Sequence, residues 1–237
     1  MSLLVVLAAC GSTSIPNEHS FVALELFTSQ SCSSCPPADD DLNAIAARQR
    51  DGGTREFALA WHVDYWNNLG WRDPYSTAAA SERQFAYVDA LRTSRYTPQM
   101  VANGQEDFVG GNDSARAPAI ARFLSEPSPV SIHLLPDAAE GGELVVGVEV
   151  TGAPEGAELL VALLHSGIVT EIPSGENAGK TLAYDNVVRS FVQVPTDAGE
   201  VILPVPDDVP AGGASVAALV QRVDGLEVVG AELVDVP

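Results

Sequence analysis

Apolar and polar positions along the chain change their rhythm near residue 126. Before it, apolar runs of strand length alternate with stretches of helical spacing. Phe21-Val22-Ala23-Leu24-Glu25-Leu26-Phe27 has the length and composition of a strand and ends in the loop Thr28-Ser29-Gln30-Ser31. Residues 38–50 place Leu42, Ile45 and Ala46 on one helical face, with acids early and Arg48 and Arg50 late. That order of charge complements the helix dipole, and Asp51-Gly52-Gly53 stops the helix. A second strand is predicted over 56–63, and a second helix over 80–92 with Phe85, Val88 and Leu91 inward. A strand over 96–102 then turns at Asn103-Gly104, the strongest short hairpin signal, and a last helix over 113–125 has Asp113 as N-cap and Ile120 and Phe123 inward. This order describes a mixed sheet flanked by helices.

Glu126-Pro127-Ser128-Pro129 marks the boundary, because two prolines in four residues cannot continue a helix. Beyond it, short alternating or apolar runs recur at about 130–135, 143–151, 158–165, 181–194, 200–205, 214–223 and 226–234, separated by turn residues. Such spacing predicts an antiparallel, sandwich-like β module over 129–237, or a strand-rich extension of the first sheet.

Composition sharpens this picture. The 237 residues are 46% hydrophobic, enough for real cores, and no apolar run approaches the roughly 20 residues of a membrane-spanning helix. The formal charge of -20 would be repelled by a phosphate backbone, so nucleic acid is not an expected partner. Residues 1–128 carry 9 basic and 15 acidic side chains, and residues 129–237 carry 3 and 17, which again separates two modules. Three cysteines are present. Leu7-Ala8-Ala9-Cys10 resembles the lipobox of bacterial lipoproteins, in which the cysteine is lipidated, although Met1-Ser2 lacks the usual positive charge. Residues 1–19 then read as signal, lipobox and spacer. That implies the bacterial cell envelope, periplasmic or lipid-anchored through Cys10, where disulfide chemistry is open; a buried first strand is the alternative.

Cys32-Ser33-Ser34-Cys35 follows a strand and opens a helix. Free backbone N–H groups and the dipole at a helix start favour a thiolate, the species that attacks or closes a disulfide. Cys32 is therefore the expected nucleophile and Cys35 the resolving thiol. Pro36-Pro37 shifts the helix start towards Cys35, which weakens that assistance at Cys32. A structural disulfide, or a metal site in which His62 joins the two thiols, uses the same residues; zinc wants four ligands, and copper needs fewer.

The strand–loop–Cys-x-x-Cys–helix arrangement, with Thr97-Pro98 later at the head of a strand, resembles the thioredoxin superfamily. The segments 25–30, 32–39, 61–66, 96–101, 175–180 and 186–189 are similar, more closely, to a family of secreted bacterial thioredoxin-like proteins of unknown function. The resemblance implies a thioredoxin-like α/β domain over 20–126 and a cis-Pro98 that, with Thr97, presents the substrate chain. It also implies a buried acid, for which Glu25 is the candidate unless it points to solvent. His62 and Asp64 form either a proton relay, a ligand pair or loop supports. Trp61, Trp66, Trp71 and Tyr75 form either a substrate-docking rim, with Trp66 and Trp71 in contact, or a satellite core. The expected activity is thiol–disulfide exchange on exported protein thiols or disulfides, with electrons passing to or from a partner redox protein and no cofactor beyond the redox-active disulfide. The competing expectation is a non-catalytic envelope module that binds copper, zinc or a protein partner through the same loop.

Overall fold

In the computed structural model, residues 20–52, 54–210 and 212–237 are described. Cys10 and the predicted signal, lipobox and spacer lie outside them. The first half runs β1 (Val22–Thr28), α1 (Pro36–Arg50), β2 (Glu56–His62), α2 (Ala78–Leu91), β3 (Gln99–Ala102), β4 (Glu106–Val109) and α3 (Asp113–Ser125). β1 pairs parallel with β2 and antiparallel with β3, and β3 forms a hairpin with β4. Every residue of β1 and β2 is buried, as their nearly continuous apolar runs require of strands covered on both faces. Ala38, Leu42, Ile45 and Ala46 of α1 share a core with Phe123 of α3, whereas Ala80 and Tyr87 of α2 pack in a different core with Phe27 and Trp61. α1 and α3 thus cover one face of the sheet and α2 the other.

α2 is rotated from its predicted face. It buries Ala80, Ser81, Arg83, Gln84 and Tyr87, while Phe85 is 38% exposed. The cause is the carboxylate of Glu25. It accepts from Arg83 Nε at 2.5 Å, Arg83 Nη2 at 2.8 Å and the Tyr87 hydroxyl at 2.5 Å. A buried carboxylate demands such partners, and that demand overrides a modest apolar stripe.

The second half is all strand: β5 (Ser131–Pro136), β6 (Glu143–Thr151), β7 (Ala157–His165), β8 (Ile168–Glu171), β9 (Thr181–Tyr184), β10 (Val187–Pro195), β11 (Glu200–Pro204), β12 (Ala214–Arg222) and β13 (Val228–Asp235). β5, β6 and β11 form a three-stranded antiparallel sheet whose inward residues share a core with β7 and β12. β8 and β9 form a two-stranded antiparallel sheet of their own, and the remaining strands join those of the first half. One sheet of eight runs β13-β12-β7-β10-β2-β1-β3-β4, and β10 joins β2 in parallel at Val187 and Ala60. Strands from both sides of the Glu126–Pro129 segment therefore share a continuous ladder.

The run predicted at 181–194 is two strands. It breaks at Asp185-Asn186, where Asn186 adopts a left-handed φ of 52°. Asn186 O accepts the Ala60 N–H and its side-chain amide donates to Ala58 O, so the break is the joint that fastens the second half to β2. The β3–β4 turn is fastened likewise. Asn103 Oδ1 accepts the Ala23 N–H, and a Cβ on left-handed Gly104 would collide with the Leu226 carbonyl. Among the described residues no helix is long and apolar enough to cross a membrane.

Candidate functional site

Cys32 and Cys35 are joined by a disulfide, with their Cα atoms 5.4 Å apart. Cys35 is the N-cap of α1, and Pro36 and Pro37 occupy its first positions, where a missing N–H costs nothing. Cys35 O accepts the N–H groups of Ala38 and Asp39. Cys32 is 4% exposed and Cys35 is fully buried, with Ser33 and Ser34 exposed between them. Across the pair lies the Thr97-Pro98 bond, which is cis. The Trp66 indole N–H donates to Thr97 Oγ1 at 2.9 Å, and the Thr97 hydroxyl donates to Cys32 Sγ at 3.2 Å. Ser34 Oγ reaches Thr97 O at 3.4 Å. The loop ahead of Cys32 is held by side chains from elsewhere. Trp71 Nε1 donates to Gln30 Oε1, Ser31 Oγ donates to Trp71 O, and Asn177 Nδ2 donates to both Gln30 O and Cys32 O at 2.9 Å.

A buried polar cluster begins in the first turn of α1. Asp39, in the first turn of α1, is 4% exposed, and the Thr28 hydroxyl donates to its Oδ1 at 2.7 Å. Burial outweighs that hydrogen bond and pushes the carboxyl up to about 7. His62 Nδ1 lies 2.6 Å from Asp73 Oδ2. Burial alone would depress the imidazole, but the charge and hydrogen bond of Asp73 more than offset it and raise His62 above its ordinary value. Burial likewise opposes ionisation of Asp73, yet the His62 charge and the N–H groups of Gln30 and Tyr75 hold it below the usual carboxylate range. The Tyr184 ring packs edge-on to His62 with centroids 4.8 Å apart. Asp39 Oδ2, His62 Nε2 and the Tyr184 hydroxyl are buried with no hydrogen-bond partner among the described residues.

Comparison with known proteins places this arrangement in a family. Residues 23–221 match the family described as protein of unknown function (DUF1223). The chain belongs to it. A crystal structure of a protein from Agrobacterium tumefaciens is similar at 28% identity and a TM-score of 0.66, covering 92% of this chain and 95% of that one. Two weaker likenesses each cover 46% of this chain. One is to a domain of the outer membrane lipoprotein Omp28 from Porphyromonas gingivalis, at 16% identity over 96% of that chain with a TM-score of 0.29. The other is to an FMN-binding β-glucuronidase from Faecalibacterium prausnitzii, at 15% identity over 15% of that chain with a TM-score of 0.28. No curated protein matches.

In this DUF1223 chain the fold gathers Cys32, Cys35, Thr97, Pro98, Trp66 and Trp71 at one place. Glu25 is not among them. It lies on the α2 face of the sheet, where Arg83 and Tyr87 saturate it. Asp64 Oδ1 accepts from Ser81 Oγ and does not pair with His62. Trp61 is a core residue against Phe27 and Phe191, while Trp66 and Trp71 are half-buried and brace the loops. Among the described residues no group of three or more His, Cys, Asp or Glu side chains is arranged to hold a metal ion. Sequence reasoning passed over Asp39, Asp73 and Asn177 as site residues. Asp39 and Asn177 each stood inside a segment singled out by resemblance, and that was the signal available. Asp73 carried none beyond its place in the aromatic loop.

Proposed function

We propose that residues 20–126 are a thioredoxin-like unit and that Cys32 and Cys35 exchange thiols and disulfides with exported proteins. The observation that carries this reading is the Cys32–Cys35 disulfide at the start of α1, in which Cys35 is fully buried and Cys32, 4% exposed, is followed by exposed Ser33 and Ser34 and faces the Thr97 hydroxyl. The β1–α1–β2–α2–β3–β4–α3 order, with helices on both faces and cis-Pro98 opposite the pair, supports the same reading. In the reduced protein the Cys32 thiolate attacks one sulfur of a substrate disulfide, whose S–S bond breaks as the other sulfur leaves. Cys35 then attacks Cys32 Sγ, closes the ring and releases the second substrate thiol, so two electrons pass from the pair to the substrate. Thr97 and Pro98 present the substrate backbone.

Cys35 must lose a proton in the closing step, and Asp39 is the acceptor we assign. It is four residues on, its backbone N–H already bonds to Cys35 O, and its carboxyl titrates at about 7, so it can take and return a proton near neutrality. The role expected of Glu25 passes to Asp39, because Glu25 is held in its ion pair. The chemistry needs no organic cofactor; electrons come from, or go to, a partner redox protein.

Reduction of insulin disulfides by the reduced protein tests the reading. Cys32→Ser should abolish turnover, and Cys35→Ser should accumulate a mixed disulfide through Cys32. A fully reduced wild-type protein that is inert towards insulin and small disulfides, yet takes up zinc or copper stoichiometrically, would overturn it in favour of the metal-binding alternative.

A further inference from the structure

The segment 174–180, contributed by the second half of the chain, sits against the cysteine loop and is fixed there at several points. Ser174 Oγ donates to Gly70 O at 2.6 Å. Left-handed Gly175 packs so closely on the 69–71 backbone that an added Cβ would lie 3.1 Å from both Leu69 O and Trp71 Cβ. Asn177, 1% exposed, spends both amide hydrogens on Gln30 O and Cys32 O, while its Oδ1 accepts from Lys180 Nζ at 2.9 Å. Between these anchors Glu176 is exposed, and its Oε2 accepts the Ser33 N–H at 3.1 Å. A fixed carboxylate is therefore hydrogen-bonded to the residue that follows the attacking cysteine, on the solvent side from which a substrate must come.

We propose that Glu176 is a specificity-determining residue that makes the Cys32–Cys35 centre prefer disulfides and thiols flanked by positive charge. This rests on the exchange activity proposed above and adds the class of substrate. The charge of a substrate group passing over Ser33 and Ser34 is felt by Glu176 at short range. Opposite unit charges about 4 Å apart in water attract by roughly 1 kcal/mol, about fivefold in rate or affinity per charge. The other ionisable groups around the loop are less well placed to impose a sign. Lys180 is tied to the far end of the Asn177 amide, Asp73 and Asp39 are buried, His62 is paired with Asp73, Tyr65 lies beside Trp66 and Thr97, and Arg95 is stacked over the Tyr65 and Phe85 rings.

The test compares reoxidation of the reduced full chain by two small disulfides. Glutathione disulfide carries net negative charge on each half, and cystamine carries an ammonium on each half. In each reaction Cys32 forms a mixed disulfide, one thiolate leaves, and Cys35 displaces the other, so two electrons move to the small disulfide. The ratio of the cystamine rate to the glutathione rate is measured in wild type and in Glu176→Gln, which keeps the Ser33 hydrogen bond and removes only the charge. Intrinsic reactivity of the two reagents cancels between variants. We expect the ratio to fall about fivefold or more in Glu176→Gln, and the wild-type preference to shrink as salt rises. An unchanged ratio in Glu176→Gln, with both reagents reacting, overturns the inference and leaves the exchange activity intact; failure of both reagents to react with reduced wild type overturns the exchange activity itself.

Discussion

Asp39 shows how much a single buried group can set. Its carboxyl titrates near 7 in the folded protein against an ordinary value of 3.8, so the folded chain keeps a proton that the unfolded chain releases. Stability from the protonated form is present below about pH 4 and is lost as pH rises through about 7, because over that window the native state binds more protons. Asp39→Asn keeps an acceptor for the Thr28 hydroxyl and has no charge to desolvate. It should leave stability unchanged at pH 4 and raise it by on the order of 4 kcal/mol above pH 7, measured by denaturant unfolding of the oxidised protein. The same variant should lose the inflection near pH 7 in the rate of disulfide closure. A wild-type closure rate that shows no such inflection would remove Asp39 from the proton path. At this scale the sequence was partly legible. Cys32, Cys35 and Pro98 carry their chemistry in their spacing and residue type. Burial raises Asp39, the charges of Asp73 and Asp40 add to it, and Thr28 and His62 oppose it; Thr28, His62 and Asp73 stand on other segments of the chain.

At the scale of elements, strands were easier to read than helix faces. β1 and β2 are buried on both sides, so their apolar runs announce them whatever packs above. α2 was misoriented because its anchor is polar. Arg83 lies over the Trp61 and Tyr87 rings at 5.0 and 5.1 Å and closes on Glu25, and Gln221 of β12 completes the group. Removing one member of a buried pair strands the other, at a cost of about 3–5 kcal/mol. Arg83→Met should destabilise the protein by that amount in chemical denaturation, and adding Glu25→Leu should recover much of the loss. A double variant no more stable than Arg83→Met would show that the pair is not what docks α2 on β1. The division of the 181–194 run follows the same logic. Asn186 takes a left-handed turn because its backbone and amide are committed to β2, a strand more than a hundred residues earlier.

For the whole molecule, the consequence of one shared sheet is that neither half is complete alone. Cutting after residue 128 would bare the β2 edge, unpair Asn103 O from Val228 N–H and remove Gln221 from the Arg83 group. It would also take Asn177 from the carbonyls of Gln30 and Cys32. An exposed flat edge is also a template for aggregation. A fragment of residues 20–128 should therefore show no cooperative thermal transition and poor dispersion of its amide NMR signals; a well-folded fragment would contradict this. By itself the sequence determined the kind and order of nearly every strand and helix, the cysteine pair at the start of a helix, and the proline later found cis. These are written in local periodicity and in residues whose chemistry travels with them. Tertiary structure alone decided that the two halves join in one ladder, that Glu25 serves α2, that Asp39 is buried beside His62 and Asp73, and that Glu176 and Asn177 reach the cysteine loop. Each depends on segments brought together across tens to more than a hundred residues, and long-range contact of that sort leaves no periodic trace along the chain.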